Sequence, residues 1–422
     1  MKINLSINYL FKGIFYQTIW FLFFASAFSI FGRLPNRIFV DVTSVGFLFI
    51  LIVHYFFEWH KALSLKRVKS ITVLMIPFLI MPFISAIQAY QVFGQPLIFG
   101  LIAQRQLTLA LCAHFIAIAL IDKWVSKEAF EKYFIRSLHI MLFIFLFFYI
   151  FVNPAQFADT DFVTLSPNKG YRYEFPDSCI YGLFIYSLFK MWISKQKGWL
   201  LSVLLSTFYI LVYLLDRTQL IALAGTIAVY VSLNFTFPRM IRTAIIAGIF
   251  GVLGIGFIGL IAPDFLEKNI SLYMRAVETL TGEKVAESST YVRFMESKIA
   301  LDGFVKHPVL GVGFLSTRWN DGFRSLNKQF YPVDVGILGN LFVYGIIGTL
   351  VFYIPFYLTW RYNLKIKTKN DALLVASIYL LLFQFADYFT AASNQKFFGI
   401  VAVYFGIVYY YRFRKDNKEE TL

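Results

Sequence analysis

Arg105, Arg172, Arg217 and Arg293 stand in or beside polar breaks of an otherwise apolar chain. A guanidinium presents a planar fork of donors that matches phosphate and carboxylate. Several such forks on one side of a membrane suggest a site for an anionic head group such as phosphate. Arg217 is the sharpest candidate. It lies in "YLLDRTQLIALAG", between two apolar runs with almost no loop. Arginine near hydrocarbon is costly unless it has work or a partner. The plain alternative is a side chain that reaches to the interface beside Asp216. Arg293 has a plain alternative too, a solvated helix face shared with Glu296 and Lys298. Carboxylates that accept a proton at such a site are Glu174, Asp177 and Asp334, all near the ends of apolar runs. His307 is a further base or phosphate ligand, though a histidine at a helix end more often answers the helix dipole. The pair in "DTD", Asp159 and Asp161, has the look of a metal-holding couple, but no further ligand stands near it, so no metal is expected.

The elements that carry these residues follow from composition. The chain has 422 residues, 59% of them hydrophobic and only 15% charged. Soluble domains carry about 25% charged residues. Runs of about 20 apolar residues recur, the length that crosses a bilayer as a helix. The fold expected is all-α and polytopic, one domain over 1–422, with about twelve spans. They fall near 13–31, 38–58, 70–90, 104–121, 137–153, 178–194, 199–215, 219–236, 243–262, 336–359, 372–390 and 397–411. The net charge of +15 does not point to nucleic acid, because the cations gather in short loops that set topology. Those loops hold Lys61 to Lys69, Lys123 to Arg136, Lys190 to Lys197, Arg239 to Arg242 and Arg361 to Lys369. With the basic tail from Arg412, they place both termini in the cytoplasm. Cys112 and Cys179 form no CxxC pair, so neither redox nor zinc chemistry is indicated. His54, His60, His114 and His139 fall in spans or cytoplasmic loops and read as structural.

Three segments then face outward: 91–104, 154–177 and the long loop 263–335. Long connections are uncommon unless they bind or catalyse. In the last of them, "STYVRFMESKIALDGFVK" predicts a helix that packs through Tyr291, Phe294, Met295, Ile299 and Phe304. The "HPVLGVG" that follows ends it, with Gly311 and Gly313 shaping a tight turn. It lacks the Lys-Ser/Thr of a nucleotide-binding loop. Tyr171, Tyr173, Trp319, Phe330 and Tyr331 are aromatics able to stack on sugar rings or to anchor the interface.

The Arg293 helix, "HPVLGVG" and the re-entry through "YPVDVGILGNLFVYGIIGTLVF" together resemble the bacterial O-antigen polymerase and O-antigen ligase superfamily. "LLDRTQLIALAG" looks like that family's Ser-Arg turn, with Asp216 where Ser is common. These motifs lie within 217–349. The resemblance implies a membrane-embedded glycosyltransferase that uses glycans on undecaprenyl pyrophosphate at the outer face of the bacterial inner membrane. It implies that Arg217 and Arg293 hold pyrophosphate; Arg172 and Arg105 are further candidates by their placement, and two or three arginines can stabilise the departing phosphate without a metal or other cofactor. Ligases carry a His-Asn pair eleven residues before the first Gly of Gly-Ile-Ile-Gly. Here that Gly is Gly345, and the position holds Asp334. The departure favours a polymerase of O-antigen, capsule or exopolysaccharide, with Asp334 as base, Glu174 second and His307 third. The alternative enzyme is the ligase, acting on lipid A core or protein. A transporter or flippase is the alternative of another class. Candidate partners are the lipid-linked oligosaccharide, membrane lipids, a chain-length regulator and a flippase.

Overall fold

The computed structural model describes residues 2–28, 62–158, 163–166, 170–214, 217–242, 289–365, 371–390 and 398–419, with a few isolated positions besides. Ten of the twelve expected spans coincide with helices; the expected spans at 38–58 and 243–262 lie almost wholly outside the described residues. Apolar runs dictate these helices, and a polar residue caps one of the longest. Ser126 caps Lys127–Phe151 by accepting from the Ala129 N–H at 3.2 Å.

Span number is where expectation and structure part. Among the described residues, four helices are long and apolar enough to cross a bilayer: Val73–Phe93, Lys127–Phe151, Lys197–Leu214 and Pro332–Lys365. A fifth arises if Leu97–Ala103 and Arg105–Ile121, bent by 43°, count as one span. Gly13–Ala27, Ser178–Ser194, Thr218–Asn234 and Ala372–Asp387 are apolar but shorter. An untilted crossing needs about 20 residues; Ser178–Ser194 has 17, while the other three stretches belong to helices that begin at Lys2 and Arg217 or run to Thr390. The architecture shown is therefore mostly helical, with four to five candidate spans among the described residues.

The segment 154–177, expected to face outward, is more than a loop. Val163–Ser166 and Gly170–Tyr173 pair antiparallel, with Thr164 opposite Arg172. An entirely α expectation missed this short hairpin.

Packing orders the helices into a bundle with two distinct ends. Phe398–Glu419 lies along Leu111–Ile121, and Ala372–Thr390 packs on Ser178–Ser194, on Arg217–Asn234 and on Gly336–Lys365. At one end the Lys127 ammonium meets the Asp371 carboxylate, and Lys190 meets Glu131 at 2.9 Å. Lys127 opens the helix that ends at Phe151, and Asp371 follows the helix that opens at Gly336. Tyr149 and Asp334 therefore both lie toward the opposite end.

Candidate functional site

The turn after the Ser289–Lys306 helix is built into a membrane helix. Within Gly336–Lys365 the backbone leaves helical geometry at Gly345, at φ 62° and ψ −169°. That region is open to glycine almost alone. The break separates the Phe342 and Val343 carbonyls from the N–H groups of Ile346 and Ile347, their normal partners four residues on. The "HPVLGVG" turn meets all four. Val312 N–H donates to Phe342 O at 2.9 Å and Gly313 N–H to Val343 O at 3.0 Å. Ile346 N–H donates to Pro308 O at 2.9 Å and Ile347 N–H to Val309 O at 3.2 Å. Buried backbone groups without partners are expensive in an apolar setting, so break and turn each require the other.

The same turn is pinned to Ala62–Phe93 and to the residues after it. Phe314 N–H donates to Ser85 Oγ at 2.9 Å. The fully buried Gln95 side chain donates to Phe314 O at 3.0 Å and accepts from Ser316 N–H at 2.7 Å. Gly311 and Gly313 hold positive φ against backbone, so they shape the turn as the sequence indicated.

This frame sets Arg293 beside two carboxylates. The Arg293 helix packs on Gly336–Lys365 and on the 3-10 turn Pro332–Val335, which carries Asp334. Arg293 and Asp334 are both exposed at the surface of this junction, and Glu296 is buried behind them at 3% exposure. The Glu296 Oε1 accepts from Tyr331 N–H at 2.9 Å. Burial, then the nearby Asp334 charge, push the Glu296 carboxyl up to about 7, against a downward pull from Arg293.

Glu296 is the member that sequence reasoning missed. It read as the solvated partner of Arg293, and Tyr291, Phe294, Met295, Ile299 and Phe304 read as the packed face. Correction comes from burial. Phe294 is 66% exposed and Met295 37%, whereas Glu296 and Ala300 are buried and Gly303 packs against the Phe342 ring. The side chain of Tyr291 lies outside those described. Small residues four and seven positions after Glu296 mark the close-packed face, and that spacing was the available signal.

The other candidates are placed as follows. Arg172 and Glu174 sit on and just after the hairpin, and their charges, with that of Asp177, bear on the Tyr149 hydroxyl. Tyr149 stacks on Tyr213 with ring centroids 4.5 Å apart. The α-helix Leu200–Tyr209 passes into a π-helix, Ile210–Leu214, just there. Arg217 begins the next helix three residues later; its side chain and Asp216 lie outside the described residues. Arg172, Glu174 and the start of the Arg217 helix thus share one end of the bundle with Asp334. Arg105 opens the 3-10 stretch at the bend of the Leu97–Ile121 pair and donates to Ile102 O at 2.8 Å. His307 stands about 16 Å along the helix axis from Glu296, at 1.5 Å per residue. His307 thus follows the end of that helix, eleven residues past Glu296. Phe330 and Tyr173 are buried at 0% and 2% exposure, so neither ring is open to a sugar; Tyr171 and Tyr331 remain exposed. Asp159 and Asp161 lie outside the described residues.

Chemically, then, the protein has helical, membrane-type architecture with a guanidinium and a carboxylate exposed together at one end. The chain matches no protein-family model and no curated protein sequence.

Proposed function

We propose that the chain is a lipid-linked oligosaccharide polymerase of the bacterial inner membrane, joining undecaprenyl-pyrophosphate-linked repeat units on its outer face. Both termini and the Lys127–Asp371 end face the cytoplasm in this reading, and the Asp334 end faces out. The observation that carries it is the exposed Arg293–Asp334 junction, set where an apolar helix begins and fixed there by the interlocked turn and break. Beside Arg293, the same helix exposes Phe294, Leu301 and Val305 along one stripe. Charge next to an exposed apolar stripe suits a substrate with an anionic head and a lipid tail.

The step is a glycosyl transfer. A hydroxyl of the incoming lipid-linked unit attacks the anomeric carbon of the growing chain. Asp334 takes the hydroxyl proton as the new C–O bond forms. The anomeric bond to pyrophosphate breaks, and undecaprenyl pyrophosphate leaves with the bonding electrons. Arg293, with Arg217 and Arg172, stabilises the charge that grows on the departing phosphate. Pyrophosphate is a competent leaving group, so no strong acid is required. Glu296 holds the Tyr331 turn and with it Asp334.

Reconstitution of the purified protein with one defined undecaprenyl-pyrophosphate repeat unit tests this. Oligomers formed with no other enzyme present support the polymerase. Transfer only when lipid A core is supplied indicates the ligase, and no glycosyl transfer at all indicates a transport role.

A further inference from the structure

At the end of the bundle opposite Asp334, a cleft of about 430 Å³ opens between the Leu111–Ile121 helix, the turn after it and the Phe398–Glu419 helix. Its walls combine apolar and cationic groups: Leu120, Val125 and Phe413 with Lys123, Lys127 and Arg414. Glu128 also lines it and opposes them. Lys127 is already matched by Asp371 and lies 5.6 Å from the Tyr411 ring centre. Lys123 and Arg414 are the exposed cations of the wall, one on each side. Lys123 holds φ 58°, at a helix-end position where glycine is usual. The capped N-terminus of Lys127–Phe151, with its partial positive charge, forms part of the same wall. Trp124, 52% exposed, and Tyr410 mark the level as that of a membrane interface.

We infer that this cleft binds the head group of an anionic phospholipid, with the phosphate between Lys123 and Arg414 and the first acyl carbons against Leu120, Val125 and Phe413. A basic pocket between helices at the interface is the usual form of such a site. Charge complementarity argues for an anionic lipid over a zwitterionic one, since among the described residues Glu128 is the one carboxylate that lines the cleft against Lys123, Arg414 and the neutralised Lys127. The site is independent of the polymerase reading, because it lies at the other end of the bundle.

The test uses the full chain, delipidated in detergent. Thermal unfolding is followed with phosphatidylglycerol, phosphatidylcholine or inorganic phosphate added, and retained lipid is counted by native mass spectrometry. Phosphatidylglycerol should raise the midpoint and remain bound, and phosphatidylcholine should do neither. The double variant Lys123→Ala with Arg414→Ala should bind phosphatidylglycerol about tenfold or more weakly. Its midpoint in phosphatidylcholine should match the parent, which shows that it folds. Glu128→Gln should tighten binding. Equal effects of the two lipids, full stabilisation by inorganic phosphate alone, or unchanged binding in the double variant would overturn the inference.

Discussion

At the scale of single residues, Glu296 and Asp334 make separable claims. The Glu296 carboxyl, ordinarily near 4.5, is raised to about 7 in the folded chain. The folded state therefore keeps this proton over an interval in which the unfolded state has lost it. Its contribution to stability is full below the unfolded value and is lost as pH rises through about 7. The parent should lose up to about 3 kcal/mol from this group between mildly acidic and mildly alkaline pH. Glu296→Gln should remove that slope, as read by denaturant unfolding in detergent; identical slopes would mean that Glu296 is not buried as a neutral acid. Asp334→Asn should abolish polymer while leaving the stability within about 1 kcal/mol of the parent, because Asp334 is exposed. Near-normal chain length in that variant would give the base to another residue. Arg293→Ala and Arg217→Ala should each lower activity by about a hundredfold or more. Protein levels in the membrane should hold. Arg293 and Asp334 were legible as candidates from residue type and position. Glu296 was not, because an Arg–Glu pair three apart on a helix reads as surface unless the small residues beyond it are weighed.

At the scale of elements, the turn "HPVLGVG" and the "GIIG" of the membrane helix are one device. Sequence inspection separates them by more than thirty residues and reads the first as a helix stop. That reading holds: the helix ends at Lys306. What local pattern cannot supply is the partner, since the four hydrogen bonds that join turn and break are backbone to backbone. No side chain announces them; only Gly311, Gly313 and Gly345 do. A residue with a β-carbon at Gly345 would be strained by its φ of 62° and would meet the Val309 backbone. Gly345→Ala should cost about 1–3 kcal/mol and reduce activity, because the Arg293 helix loses its anchor. Limited proteolysis between 307 and 331 should speed up in this variant. An unchanged cleavage pattern with parental activity would show that the clasp does not hold the site. The hairpin at 163–173 was illegible for another reason: four-residue strands with a break between them carry too short an alternation to stand out.

At the scale of the whole molecule, hydropathy identified a helical membrane-type chain and, among the described residues, overstated its spans. Ser178–Ser194 shows why: its apolar run is real, but the helix has 17 residues, short of a full untilted crossing. The polarity of the bundle is firmer, because Lys127 with Asp371 marks one end and Asp334 the other. Single cysteines at Lys328 and at Arg414, both exposed, should label from opposite sides of sealed vesicles, with the buried Cys112 and Cys179 silent. Labelling from the same side would overturn the orientation. The most direct test of the central claim combines these scales in one vesicle experiment. The purified chain is reconstituted with a defined undecaprenyl-pyrophosphate repeat unit, and product length is read on a gel beside the Arg293→Ala and Asp334→Asn variants. A ladder from the parent and single units from both variants is the predicted result. Single units from the parent, or a full ladder from either variant, would contradict it.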